Sequence, residues 1–285
     1  MVLNGGEPRM SQSAQVVADH YRRRALGDVI LRALKETVKD IEHLTPDDLA
    51  PVDEFHSGGR NATVRLAQLA EIDKSQRVLD VGCGIGGPSR YLASKFGCQV
   101  NGLDLTAEFV ALAGMLAERT RLADKVTYRQ GNALDLPFPD ASFDVVWSQN
   151  AAMNIADRDR LYGEMRRVLR PGGRLALQDV AAGPGGEPHY PTPWASDKSI
   201  SFLFPPQSTR AALERAGFRV IAWQDTTQEA LEQMVARAKA LDSESLPPLG
   251  LHILIGEAFP TVTKNMLRNL QEQRVQLFNA VLERA

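Results

Sequence analysis

Cysteine is nearly missing. The 285 residues contain two, Cys83 and Cys98, too few for the disulfide framework that holds small secreted domains together. None is needed, because a chain of this length buries roughly 75% of the surface it exposes on unfolding and can build one large core. The expected compartment is a reducing cytoplasm. Excess charge of either sign is missing too. Lys and Arg number 33 against 35 Asp and Glu, a formal net charge of -2, so no strong field attracts a nucleic-acid backbone or an anionic membrane surface. No apolar run is long enough to cross a bilayer, and residues 1–10 lack the apolar core of a signal peptide. They read as a mobile tail, with Met10 as an alternative start. There is no internal repeat and no low-complexity tract. No set of Cys and His has metal-ligand spacing, so no metal site is expected.

What the sequence does have is a change of period near residue 77. Before it, Val16, Val17, Tyr21, Leu26, Ile30, Leu31 and Leu34 recur at mostly helical spacing, predicting one or two amphipathic helices over Ser13–Val38 with an interruption at Gly27. Thr45-Pro-Asp-Asp-Leu predicts a helix start with Thr45 as cap, and Gly58-Gly59 precedes a helix to about Glu71. From Arg77 onward short β-branched runs alternate with helices: Arg77–Val81, Gln99–Asp104, Lys125–Gln130, Phe143–Ser148 and Arg174–Asp179. Such alternation is the pattern of right-handed βαβ units and a parallel sheet covered on both faces. A long loop rich in Gly, Pro and aromatics spans Ala181–Pro206, followed by a helix to Ala216 and a strand Phe218–Trp223. Helical material from Thr227 to Leu241, a break at Pro247-Pro248, more helix and a final strand Val275–Leu282 complete the chain. The expected fold is α/β, a doubly wound, mostly parallel seven-stranded sheet. An N-terminal helical extension (1–57), a ligand-binding core (58–225) and a helical cap with the last strand (226–285) are the expected divisions.

The densest signal is Val78-Leu-Asp-Val-Gly-Cys-Gly-Ile-Gly-Gly-Pro-Ser89, a strand entering a glycine-rich turn that opens a helix. Glycine lets backbone approach a ligand, and the helix start favours an anionic group. Gly82, Gly84 and Gly87 satisfy G-x-G-x-x-G, and Asp104 lies at a distance suited to a ribose hydroxyl, so a nicotinamide-dependent oxidoreductase is one reading. Asp80 opposes it. It stands at the end of a buried strand where a dinucleotide site has an apolar residue, and a buried carboxylate needs a partner, which the ammonium of a methionine moiety supplies.

These residues resemble the first motif of class I S-adenosylmethionine-dependent methyltransferases, whose fold is Rossmann-like, and the similarity continues downstream. Gly102-Leu-Asp-Leu105 resembles the second-strand motif, whose acid, here Asp104, binds both ribose hydroxyls. Gly131-Asn-Ala-Leu-Asp-Leu-Pro137 resembles the third, in which Asn132 and Ala133 meet the adenine edge. Many relatives carry Asp where this chain has Asn132, whose amide oxygen can still accept from an amino group. Phe143-Asp-Val-Val-Trp-Ser-Gln149 resembles the fourth strand and Leu169-Arg-Pro-Gly-Gly-Arg-Leu175 the turn before the fifth. The resemblance implies S-adenosylmethionine as cofactor, held by Tyr21, Asp80, Gly82, Gly84, Gly86, Asp104, Leu105, Asn132, Ala133 and Gln149. The Phe55-His-Ser-Gly-Gly and Tyr190-Pro-Thr-Pro-Trp194 stretches are similar to those of bacterial sarcosine and dimethylglycine methyltransferases, and more distantly of quinone and tocopherol methyltransferases.

The implied reaction is in-line attack of an N-, O- or C-nucleophile on a methyl group, driven by positioning and desolvation. His56, Gln149, Tyr190 and Trp194 are the candidate catalytic residues. Asn150, Asn154, His189 and His252 are further polar candidates, the two histidines reading better as ordinary hydrogen-bonded side chains. The Ser148-Gln-Asn-Ala-Ala-Met153 turn lacks the Asn/Asp-Pro-Pro-aromatic pattern for methylating exocyclic amines of bases, so no nucleic-acid partner is expected. The expected partners are a small-molecule acceptor and, at most, a second copy of the chain. The N-terminal helices, the long loop and the helical insertion are expected to cover the acceptor. A non-catalytic cofactor-binding regulator stays open, because no residue declares itself an indispensable base. The Arg22-Arg23-Arg24 run reads as a solvated helix face.

Overall fold

The computed structural model describes residues 12–22, 25–37, 40–243 and 246–285; the expected tail at 1–10, Arg23, Arg24 and Val38 lie outside them. Seven strands form one sheet: β1 (Arg77–Val81), β2 (Gln99–Asp104), β3 (Val126–Gln130), β4 (Phe143–Gln149), β5 (Leu169–Ala182), β6 (Phe218–Asp225) and β7 (Val275–Arg284). Their order is β3-β2-β1-β4-β5-β7-β6. The ladders β3-β2-β1-β4-β5 are parallel, whereas β7 runs antiparallel between β5 and β6. The chain fills β1, β2 and β3 outward and then crosses back to β4, so the switch point lies between β1 and β4, where ligands bind in open sheets of this kind.

Strand period explains why the sheet is buried on both faces. Leu79 and Val81 of β1, Val146 of β4, Leu175 and Leu177 of β5 and Phe278, Ala280 and Leu282 of β7 join one apolar cluster. Their neighbours Val78, Val145, Trp147, Ala176 and Val281 join the other. The first face is covered by α7 (Arg158–Val168) and α8 (Pro206–Arg215), the second by α4 (Gly59–Leu69), α5 (Gly87–Phe96) and α6 (Ala107–Arg119). Leu169 pairs with Phe143, residues 170–173 loop out, and the ladder resumes with Arg174 opposite Val145. The Pro-Gly-Gly turn is thus an excursion inside β5.

The remaining helices lie toward the carboxyl edge. These are α1 (Gln12–Tyr21), α2 (Leu26–Thr37), α3 (Pro46–Asp53), α9 (Thr227–Ser243), α10 (His252–Ile255) and α11 (Phe259–Gln271). Thr45 caps α3 as expected: its hydroxyl accepts from Asp48 N at 3.2 Å while the Asp48 carboxylate accepts from Thr45 N at 2.7 Å, a reciprocal box worth about 1 kcal/mol. The break between α1 and α2 does not fall at Gly27, which sits in the first turn of α2; it falls at Ala25, whose φ is +55°. Among the described residues no helix is long and apolar enough to cross a membrane.

Candidate active site

Strand β1 ends in Asp80 and Val81, and the chain then turns through Gly82, Gly84 and Gly86 with φ of +79°, +54° and +84°. At Gly82 a side chain is excluded by space as well as by φ, since a Cβ there would lie 2.6 Å from the Ala151 Cβ after β4. Gly84 faces open space and lines a cavity of about 740 Å³ over the ends of β1, β2 and β4, within the range of roughly 300–1,000 Å³ usual for small-molecule sites.

Two carboxylates face this turn, Asp80 buried and Asp104 half-buried. Asp104, at the end of β2, accepts from Gly84 N and from Thr106 N, both at 2.8 Å. Burial raises its pKa from the ordinary carboxylate value. Asp80 accepts from the Ser89 hydroxyl at 2.6 Å, and no cation pairs with it among the described residues. Burial, with Asp104 and Glu54 nearby, pushes its pKa up to about 7. Both line the cavity together with Tyr21, Gly82, Gly84, Leu105, Asn132, Ala133 and Gln149. Gly86 does not; it is the left-handed cap of α5 and its carbonyl accepts from the Tyr128 hydroxyl at 3.2 Å. The Asn132 amide oxygen accepts from Leu134 N at 2.9 Å, which fixes the side chain at the cavity wall.

His56 lines the same cavity, held from behind. Its Nε2 lies 3.1 Å from the Gly59 carbonyl, 3.0 Å from Thr63 Oγ1 and 3.3 Å from Glu54 Oε2. A ring nitrogen facing a carbonyl and a carboxylate is the protonated one. Nδ1 then carries the lone pair, and it has no partner among the described residues. Burial lowers the His56 pKa to about 4, so the ring is neutral at physiological pH. Glu54 is itself anchored: Arg60 Nε donates to it at 2.5 Å and Thr63 Oγ1 at 2.7 Å. Glu54 and Thr63 were not singled out by sequence. An acid two residues before the histidine was the available signal for the first; nothing local marks the second.

Gln149 belongs to this frame. Its amide oxygen accepts from Trp147 Nε1 at 2.9 Å and lies 3.3 Å from Thr63 Oγ1, and its nitrogen donates to Gln178 at 2.7 Å. Gln178 in turn donates to the Ser57 carbonyl at 2.7 Å. Asn150, next in the chain, is held at φ +51° with its side-chain oxygen buried and unpartnered.

The cover is tied down by Asn154, which accepts from the Tyr21 hydroxyl at 2.8 Å and donates to the carbonyls of Trp194 and Ile200, each at 2.8 Å. One side chain thus joins α1, the 183–205 loop and the turn after β4. Tyr21 also meets Phe55 and Phe109 ring to ring, with centroids 6.4 and 6.1 Å apart, and burial raises its pKa. Trp194 is buried, lines the cavity, and donates to Ser201 at 3.0 Å. Tyr190 packs behind it and is not in the wall. His189 pairs with Glu272 at 2.9 Å and His252 packs on Phe259, and neither histidine is in the cavity lining.

Residues 79–177 match the family described as "Methyltransferase domain". Over 164 residues, 58% of this chain and 57% of the relative, the sequence is 36% identical to methyltransferase GfsG of Streptomyces halstedii. Over 219 residues it is 29% identical to the glycine/sarcosine/dimethylglycine N-methyltransferase of Actinopolyspora halophila, covering 77% of this chain and 38% of that protein. The chain therefore spans less than two thirds of the length of these curated relatives. Geranyl diphosphate C-methyltransferase from Streptomyces coelicolor A3(2), solved with Mg2+, geranyl-S-thiolodiphosphate and S-adenosyl-L-homocysteine, superposes with a TM-score of 0.69 over 98% of this chain and 100% of that one, at 20% identity. The strand order and the glycine turn accord with the methyltransferase-domain match, which spans residues 79–177.

Proposed function

We propose that this chain transfers a methyl group from S-adenosylmethionine to a small molecule enclosed beneath α1, the 183–205 loop and α9–α11. The observation that carries this reading is the pair Asp80 and Asp104, a buried and a half-buried carboxylate at the ends of adjacent strands, lining one cavity beside a glycine turn. The residues present fit the cofactor. Asp80 lacks a cation and would receive the amino-acid ammonium. Asp104, oriented by two backbone N–H groups, keeps lone pairs for the ribose hydroxyls. Leu105, Asn132 and Ala133 would flank the adenine. When bound, the cofactor supplies an electrophilic methyl carbon on a sulfonium.

The chain's own task is positioning and drying. Tyr21, Phe55 and Trp194 keep water out, which strengthens every polar contact inside. Holding acceptor and methyl carbon in line is worth up to roughly 7–11 kcal/mol of barrier. His56 Nδ1 is placed to take a proton from a hydroxyl acceptor, with Glu54 behind the ring to stabilise the cation that results. A nicotinamide cofactor would gain nothing from an ionised Asp80.

The test is thermal unfolding with S-adenosylhomocysteine and with NAD, each at about 100 times a micromolar Kd. Selective binding to the folded state stabilises by about 3 kcal/mol under those conditions. A rise with NAD alone would point to the oxidoreductase. Cys83 and Cys98 are both buried as free thiols, which supports placing the protein in a reducing cytoplasm; non-reducing electrophoresis of the native protein checks it.

A further inference from the structure

The cavity has two chemically different ends. One carries the glycine turn, Asp80 and Asp104. At the other, Met153, Ile255, Phe259, Val262, Met266 and Leu270 line the wall, continuous with the apolar cluster around Trp194 and Ala195. Among the described residues, no lysine or arginine lines either end. Three further acids in the lining each have one partner already. Asp53 pairs with Arg90 at 2.7 Å, Glu54 with Arg60 at 2.5 Å, and Asp157 accepts from Arg160 N at 2.9 Å as the cap of α7. Among the described residues the far wall therefore offers a charged acceptor no counter-ion. Desolvating an unpaired phosphate, carboxylate or ammonium there costs several kcal/mol, whereas each buried methylene gains about 0.8 kcal/mol.

Building on the methyltransferase reading, we infer that the acceptor is an uncharged lipophilic molecule bearing a hydroxyl, its apolar body on the methionine-rich wall and its hydroxyl at His56 Nδ1. Methionine suits this role because its flexible thioether adapts to irregular apolar shapes. In the transfer the acceptor oxygen bonds to the methyl carbon as the donor's S–C bond breaks, and the electron pair stays on sulfur. The acceptor's proton passes to His56 Nδ1 and from there to water on product release. Neither an amino acid nor a phosphorylated small molecule has these features.

The experiment uses the full chain saturated with S-adenosylhomocysteine, to which 4-octylphenol, octyl phosphate or dimethylglycine is added at equal concentration. Melting temperature is read for all three, and label transfer from methyl-labelled S-adenosylmethionine for the phenol. The expected result is further stabilisation by octylphenol alone, with label in the aryl ether. Met266→Lys should erase the octylphenol shift and Met266→Leu retain it, both variants still being stabilised by S-adenosylhomocysteine. His56→Gln should lose roughly 100-fold or more in label transfer while keeping the octylphenol shift, a loss of turnover without loss of binding. Stabilisation by octyl phosphate or dimethylglycine instead, or by none of the three, overturns the inference and leaves the methyltransferase reading standing. Failure of S-adenosylhomocysteine itself to stabilise the chain counts against that underlying reading.

Discussion

Replacing Asp80 by Asn should stabilise the ligand-free protein at alkaline pH and weaken its hold on S-adenosylhomocysteine. The Asp80 pKa in the fold is about 7 against an ordinary 3.8, so between those values the folded state holds a proton that the unfolded state has released. Stability from this group is fully present below about pH 4 and is lost as pH rises through 7. A gap of about 3 pKa units at roughly 1.4 kcal/mol each puts the loss at about 4 kcal/mol above pH 8. Asn has the same shape, still accepts from the Ser89 hydroxyl, and carries no charge to desolvate. Urea unfolding at pH 5 and pH 8.5 should therefore show a variant more stable than wild type by about 1.5 kcal/mol at the lower pH, where only the unfolded carboxylate has ionised, and by about 4 kcal/mol at the higher. The ligand reverses the order. Removing one partner of a buried ammonium–carboxylate pair costs about 2–4 kcal/mol, so calorimetry should show S-adenosylhomocysteine bound roughly 30- to 1,000-fold more weakly by the variant at pH 8.5. A stability gap that is the same at both pH values, or an unchanged Kd, would refute the assignment of Asp80 as the unpaired charge awaiting a cation.

Asp104→Ala removes a half-buried charged acceptor and should weaken S-adenosylhomocysteine binding by about 1–3 kcal/mol; an unchanged Kd in the folded variant rejects its ribose role. Asn154→Ala breaks three hydrogen bonds that join α1, the 183–205 loop and β4. It should cost about 2–3 kcal/mol of stability and speed amide exchange in α1 and the loop, and exchange unchanged in either would show that Asn154 is no latch. Gly82→Ala forces a side chain to φ +79° against Ala151 and should destabilise by about 1–3 kcal/mol with loss of ligand binding, read by urea unfolding and calorimetry.

The cofactor half of the site is legible in sequence because its parts are local. Asp80, the glycines and the start of α5 lie on one strand-turn-helix, and Asp104 ends the next strand, so spacing alone brings them together. The frame behind His56 is not local. Thr63 and Gln149 are 86 residues apart and Gln149 and Gln178 29 apart; the parallel pairing of β4 with β5 joins the two glutamines, and packing of α4 on the sheet brings Thr63 to them. Tyr190 and Trp194 share one loop and one set of aromatic cues, but the turn closed between Thr192 and Ala195 sends the second to the wall and leaves the first behind it. At Gly27 the composition misled, since a helix tolerates glycine at a cost of about 1 kcal/mol and the break falls at Ala25.

Binding of S-adenosylmethionine in the glycine-turn cavity for methyl transfer can be decided by one calorimetric comparison. S-adenosylhomocysteine is titrated into wild type and Asp80→Asn at pH 6 and pH 8.5. The expected result is saturable one-to-one binding to wild type that tightens with pH as Asp80 gives up its proton, and binding to the variant that is weaker and indifferent to pH. No binding by wild type, or the same pH dependence in both proteins, would contradict it.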